Sequence, residues 1–247
     1  MKIQIKERST AEVIFECEAT SIREAVEKAV EARVSLRYAD LSNADLRNAN
    51  LRNADLRAAN LRAAYLRAAY LSDANLRGAN LRAADLSAAD LSAADLRDAN
   101  LSNADLSNAD LRDADLRNAN LIDANLSDVK EDFFSVLAAA KAEVPGLYKA
   151  LCNGRVDGSN YEGECACLIG TIANVRHARY DDLGEDLRPN ADRPAERWFL
   201  GIRKGDTPES NAVASVTKQW CEEWMKANGV AIPQRTVVWS DAALEGG

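Results

Sequence analysis

Leucine recurs at an unbroken spacing of five, nineteen times from Leu36 to Leu126. Ala stands two residues before every one of them except Leu36, which follows Val34. The slot between is Asp or Asn, apart from Ser35, Tyr65 and Tyr70. Ala, Leu and Arg favour helices, but the spacing forbids one. Five residues advance a helix by ~500°, so successive leucines would wander over every face. A flat strand fails as well, because its side chains repeat every two residues. The pattern fits a bent strand. Ala and Leu point inward, the slot residue points outward, and the next two residues turn a corner. A fixed period sustained over residues 34–128 is the mark of a solenoid. Three extended residues give a side of ~10 Å, and four such sides close a square tube filled by Leu and lined by Ala. A triangular coil of fifteen residues would crowd the leucines, and on sequence alone it stays open.

The flanks break the period. Residues 2–6 and 12–17 alternate apolar and polar around a turn, which predicts a β-hairpin. Ser21 and Glu24 predict a capping box, followed by a helix with Ile22, Ala25, Val26, Ala29 and Val30 on one face. Residues 1–33 are therefore expected to cap the open end of the tube. Residues 129–247 are expected to form an α-rich domain. Asp128 is the predicted cap of a helix over Phe133–Ala140. Leu147–Leu151 predicts a short helix, and Ala166–Val175 a strand or a buried helix. Residues 180–195 predict a loop. Thr207-Pro208-Glu209 predicts a helix start, with Val213, Val216, Trp220 and Trp224 on one face and Asn228-Gly229 as the stop. Val237–Trp239 predicts a final strand.

Stretches such as Ala39-Asp40-Leu41-Ser42-Asn43 resemble the pentapeptide-repeat family, whose signature is A(D/N)LXX. The resemblance covers residues 34–128. It implies a right-handed quadrilateral β-helix of four repeats per coil, nearly five coils and ~23 Å long. The whole layout also resembles a subgroup of that family common in phage and prophage genomes. Two further stretches carry this: Asp157-Gly158-Ser159-Asn160-Tyr161-Glu162-Gly163-Glu164-Cys165-Ala166-Cys167 and Arg193-Pro194-Ala195-Glu196-Arg197-Trp198-Phe199. That resemblance implies a layout and a setting rather than an activity.

Charge changes this picture. The repeats contain Arg and Asp but neither Lys nor Glu, and the two are unevenly placed. Residues 34–82 carry a net +4 and residues 83–128 a net −7, so the tube is polarised along its axis. With twenty residues per coil, Arg37, Arg57, Arg77, Arg97 and Arg117 form one outward column. Asp55, Asp95 and Asp115 precede three of these by two residues, so the column reads as a solvated salt-bridge ladder rather than a phosphate site. Tyr65 and Tyr70 are more distinctive. Stacking brings them among Arg47, Arg52, Arg62 and Arg67, an arrangement suited to cation–π contact with a partner or to base stacking.

Candidate chemistry is sparse. Cys152, Cys165, Cys167 and His177 could make a zinc set, but they lack a Cys-x2-Cys knuckle. Cys165 or Cys167 with His177 is the candidate nucleophile pair. Both ideas rank below small buried cysteines, so no cofactor and no metal is expected. There is no apolar run of eighteen residues and no signal-peptide pattern at Met1-Lys2-Ile3, so the expectation is a cytoplasmic protein without a membrane partner.

The favoured function is a non-catalytic interaction protein that presents charged faces to an unidentified protein. Three alternatives stand beside it. The family resemblance implies DNA mimicry directed at a type II topoisomerase such as DNA gyrase. The basic half could bind nucleic acid directly, or the C-terminal region could be an enzyme. Opposite charge on the two halves also allows a homodimer, side by side and antiparallel.

Overall fold

The computed structural model describes residues 1–158, 167–190 and 193–234. Strands β1 (Lys2–Lys6) and β2 (Val13–Glu18) pair antiparallel, with a bulge between Ile5 and Lys6. Helix α1 (Ile22–Glu31) starts from Ser21, whose Oγ accepts the Glu24 N–H at 3.2 Å. Glu24 reaches back to accept the Thr20 N–H at 2.8 Å, one residue before the usual position in a capping box. Ala25, Val26 and Ala29 are buried.

The outward slots pair in parallel with the residue twenty further on: Asp40 with Asn60, Asp45 with Tyr65, and so on to Asp105 with Asn125. Four pentapeptides therefore make one coil, and the fifteen-residue triangle is excluded. Neighbouring coils are joined by bonds such as Leu36 N–H to Asp55 O and Asn60 N–H to Ala39 O, both 2.8 Å. Each side is too short to register as a long strand, because a turn follows every third residue. The leucines from Leu46 to Leu101 are wholly buried, and Ala fills the wall beside them.

Each corner is a four-residue turn closed by a bond such as Ala39 N–H to Leu36 O at 3.0 Å. Its third residue has positive φ, as a type II turn requires. Asn, Asp or Gly suits that position, yet Ala58, Ala63, Ala68, Ala83, Ala88 and Ala93 occupy it at φ of 54–56°. The left-handed region costs an L-residue about 1–2 kcal/mol, part of which glycine's extra chain entropy offsets. Ala63→Gly is therefore expected to raise unfolding stability by roughly 0.5–1 kcal/mol. Gly78→Ala should lower it by a similar amount, since an added Cβ there meets nothing within 4 Å. Urea titration of both variants checks the pair, and Ala63→Gly proving destabilising would refute the strain.

The leading coil has no earlier neighbour, and the N-terminal elements take its free groups. Arg8 N–H donates to Tyr38 O at 2.9 Å, Asp40 N–H to Lys6 O at 2.8 Å, and Asn50 N–H to the Glu27 carboxylate at 2.8 Å.

Among the described residues five helices follow the tube: α2 (Ser127–Ala139), α3 (Val144–Cys152), α4 (Leu168–Arg176), α5 (Pro194–Phe199) and α6 (Ala212–Ala227). Their core is continuous with that of the tube. Phe133 of α2 is fully buried, 5.8 Å from Phe199 and 6.2 Å from Trp220 between ring centroids. Asp132 fastens α2 to α5, accepting from Arg193 and from the Ala195 N–H at 2.9 Å each.

Several boundaries differ from the sequence reading. Asp128 does not cap α2. The last repeat runs directly into the helix, with Asn125 Oδ1 accepting the Ser127 N–H at 3.2 Å, and Asp128 lies in the first turn. Helix α3 begins at Val144, three residues before the predicted Leu147 start, with Pro145 in its first turn. The ambiguous apolar run at 166–175 is helix α4 over its described residues. The expected loop at 180–195 contains two 3-10 turns and the start of α5. Thr207-Pro208-Glu209 makes a turn, and α6 begins four residues beyond Pro208. There Asn211 Oδ1 accepts the Ala214 N–H at 3.1 Å while its Nδ2 donates to Gly201 O at 2.9 Å. Val237–Trp239 lie outside the described residues. Among the described residues no helix is long and apolar enough to cross a membrane.

Candidate interaction surface

The slot residue has a local task. Its side-chain oxygen accepts the N–H two residues on, an Asx turn that fixes the corner. Asp45 does this for Arg47 at 3.3 Å, Asn60 for Arg62 at 3.3 Å, and Asn80 for Arg82 at 3.2 Å. A tyrosine cannot. Tyr65 and Tyr70 therefore give up a bond that nearly every other slot makes, and they stand 52% and 43% exposed.

The same slot decides the fate of the arginine two residues on. Where the slot is Asp, the guanidinium folds back onto it. Arg47 binds Asp45 at 2.8 and 2.6 Å, and Arg57 binds Asp55 at 2.7 and 2.8 Å. Arg97 binds Asp95, Arg112 binds Asp110 and Arg117 binds Asp115 in the same two-pronged way. The Arg57 and Arg47 guanidinium groups hold the Asp55 and Asp45 carboxyls down to about 2. Asp95 and Asp115 are lowered by their arginines too. The arginine column is thus largely a salt-bridge ladder. Arg77 joins it sideways through Asp98 at 3.1 Å, while Arg37 donates to the Tyr38 hydroxyl at 2.8 Å.

Where the slot is Asn or Tyr, that carboxylate is missing. The side chains of Arg62, Arg67 and Arg82 are exposed and make no hydrogen bond or ion pair among the described residues. Arg62 and Arg82 stack at one corner, joined by Ala63 N–H to Arg82 O at 2.9 Å. Arg67 stands at the next corner, and Tyr65 lies on the side between them. Arg52 lies over the Tyr70 ring at 4.2 Å on the adjoining side.

Of the residues singled out in the sequence, Arg52, Arg62, Tyr65, Arg67 and Tyr70 share this surface with free or ring-stacked heads. Arg47 lies beside them but is held by Asp45. Arg82 belongs to the group and was missed, although Asn80-Leu81-Arg82 carries its signal.

Among the described residues the sulfur chemistry does not come together. Cys167 is the N-cap of α4, its Sγ accepting the Gly170 N–H at 3.5 Å, and burial pushes its thiol up to about 12. His177 is the C-cap of the same helix. Ten residues of helical rise part the two by ~15 Å, too far for a nucleophile and its base. Cys165 lies outside the described residues. Among the described residues no three Cys, His, Asp or Glu side chains could hold a metal ion together.

A family model described as Pentapeptide repeats matches eight copies over residues 32–67, 59–98 and 94–130. The chain is similar to a pentapeptide repeat protein from the cyanobacterium Cyanothece 51142, at 38% identity over 36% of this chain and 60% of that one, with a TM-score of 0.36. It thus spans less than two thirds of that protein. It is 38% identical to a pentapeptide repeat protein from Nostoc Pcc 7120 over 43% of this chain and 90% of that one, at a TM-score of 0.30. It is 24% identical to QnrB1, a plasmid-mediated fluoroquinolone resistance protein, over 39% of this chain and 57% of that one, at a TM-score of 0.19. No curated protein matches the chain.

Proposed function

For a chain that belongs to the pentapeptide-repeat family through residues 32–130, we propose a non-catalytic role as a protein-binding platform whose contact surface is the Arg/Tyr band. One observation carries this reading. Tyr65 and Tyr70 sit where the fold itself prefers Asp or Asn, give up a local hydrogen bond, and remain half exposed. Tyrosine and arginine are the residues on which interface energy concentrates. The setting we favour is cytoplasmic, in a phage or prophage-encoded protein.

DNA mimicry ranks lower. It calls for a continuous acidic face, whereas Asp95, Asp110 and Asp115 are each covered by an arginine. An enzyme in the helical region ranks lower still, given the separation of Cys167 from His177.

The test uses full-length protein. Tyr65→Asn with Tyr70→Asn restores the common slot residue, so the double variant is expected to melt no lower than the parent. Affinity capture from host lysate should recover a partner with the parent and lose it with the variant. Undiminished recovery of the same partner would remove this surface from consideration.

A further inference from the structure

We propose that the Tyr65 surface recognises carboxylate side chains on an acidic segment of a protein partner. This rests on the platform reading above and specifies the chemistry of its ligand. The tube itself shows what these arginines take. Wherever in the tube an Asp precedes Arg by two residues, the guanidinium donates to it two-pronged, as Arg47 does to Asp45. Around Tyr65 that internal carboxylate is withheld three times: by Asn60 from Arg62, by Tyr65 itself from Arg67, and by Asn80 from Arg82. Three guanidinium groups consequently face solvent at the two corners that flank one exposed phenol. A partner carboxylate supplies what the slot omits.

The corners support this. Each of the three arginines is followed by an alanine held at positive φ: Ala63, Ala68 and Ala83. Elsewhere that position is often Asn or Asp, as at Asn48, Asp98, Asp113 and Asn118. Alanine is the strained choice, but it leaves no polar side chain to engage the guanidinium and nothing tall beside it. The same alanine also follows Arg57, which Asp55 already holds, so the corner clears space beside these arginines while the missing carboxylate is what frees them.

The neighbouring charges favour a protein over a nucleic acid. Asp85 follows Tyr65 and Asp90 follows Tyr70 one coil later, and Asp45 precedes Tyr65. One coil is ~4.8 Å. A strand of evenly charged phosphates crossing either tyrosine would run within that distance of carboxylates. A peptide can instead set acidic residues on Arg62, Arg82 and Arg67 and place neutral or basic ones beyond them.

The decisive variants quench the arginines without removing them. Asn60→Asp with Asn80→Asp rebuilds the Asp-Leu-Arg unit already present at Asp45, Asp55 and Asp95. Asn100→Asp with Asn120→Asp adds the same charge to the same side of the tube, but Ser102 and Ile122 follow there instead of Arg. Both full-length variants are expected to stay folded, as stacked carboxylates at Asp85 and Asp105 already do, the Asn60/Asn80 variant melting slightly below the parent because Asn60 Nδ2 gives up its bond to Asp40 Oδ1 at 3.0 Å. The probe is a fluorescein-labelled peptide in which three glutamates alternate with glycines, read by polarisation at low and physiological salt beside a labelled oligothymidylate.

The expected result is peptide binding by the parent, about tenfold or more weaker in the Asn60/Asn80 variant, and changed by less than about threefold in the Asn100/Asn120 control. Equal weakening in both variants would reduce the effect to bulk charge and overturn the proposal. So would failure of the parent to bind the peptide, or tighter oligothymidylate binding quenched by the same substitutions, which would assign the site to nucleic acid. Loss of captured partner in the tyrosine variant together with no peptide binding would leave the platform standing and its acidic ligand refuted.

Discussion

Leu81→Ala is expected to lower the unfolding free energy by about 3–5 kcal/mol, the upper part of the range for a leucine truncated in a rigid core. Leu81 is wholly buried, with Leu61 one coil before it and Leu101 one coil after, both equally buried. Their backbones are tied by ladder bonds such as Leu61 N–H to Asn80 O and Leu81 N–H to Asn100 O, both 2.8 Å. The wall therefore cannot collapse into the cavity. The same change at Leu121 on the trailing coil, already 7% exposed, should cost about half as much. Guanidinium titrations of the two variants supply the comparison. Equal losses would mean that the tube relaxes around a vacancy far more readily than its ladder implies.

Phe133→Ala should cost about 3–5 kcal/mol as well, but locally. Phe133 packs on Phe199 and Trp220, and Trp198 lies 5.6 Å from Trp220 between ring centroids. Trp198 Nε1 also donates to Thr217 Oγ1 at 2.8 Å, joining α5 to α6. Removing the phenyl ring takes out the side chain common to α2, α5 and α6. Tryptophan emission, arising from residues outside the repeats, should report unfolding at lower denaturant than in the parent. Amide exchange in the repeats should stay slow. Loss of protection along the whole tube at the same denaturant would show instead that the two regions unfold as one unit.

The leucine period made the tube legible before any coordinate, because a single side chain filling a single core position leaves few other arrangements. Twenty residues per coil could not be read from it. That number depends on how closely leucines pack across the interior, and the bridges between Asp40 and Asn60 and their successors decide it. The helical region was read less well for a definite reason. Asn125 and Asn211 form side-chain bonds that move helix starts, and such bonds depend on which backbone groups are left free nearby. The surface lay between these cases. Tyr65 and Tyr70 stood out as departures from the slot pattern. Arg82 did not, because its freedom follows from an absent carboxylate, and the pairing rule is visible only once Arg47 is seen folded onto Asp45.

The coil of four equal sides also makes the tube a clockwork in which angle and length are set separately. Duplicating a single pentapeptide after Leu86 would preserve every leucine contact in kind, yet turn all that follows by a quarter revolution. The helical region would then face a different way from Tyr65 and its arginines. Duplicating twenty residues would restore the original bearing and move the two apart by ~4.8 Å. A family built on this unit can thus re-aim one end of the molecule against the other by copying five codons, without redesigning a core or a loop.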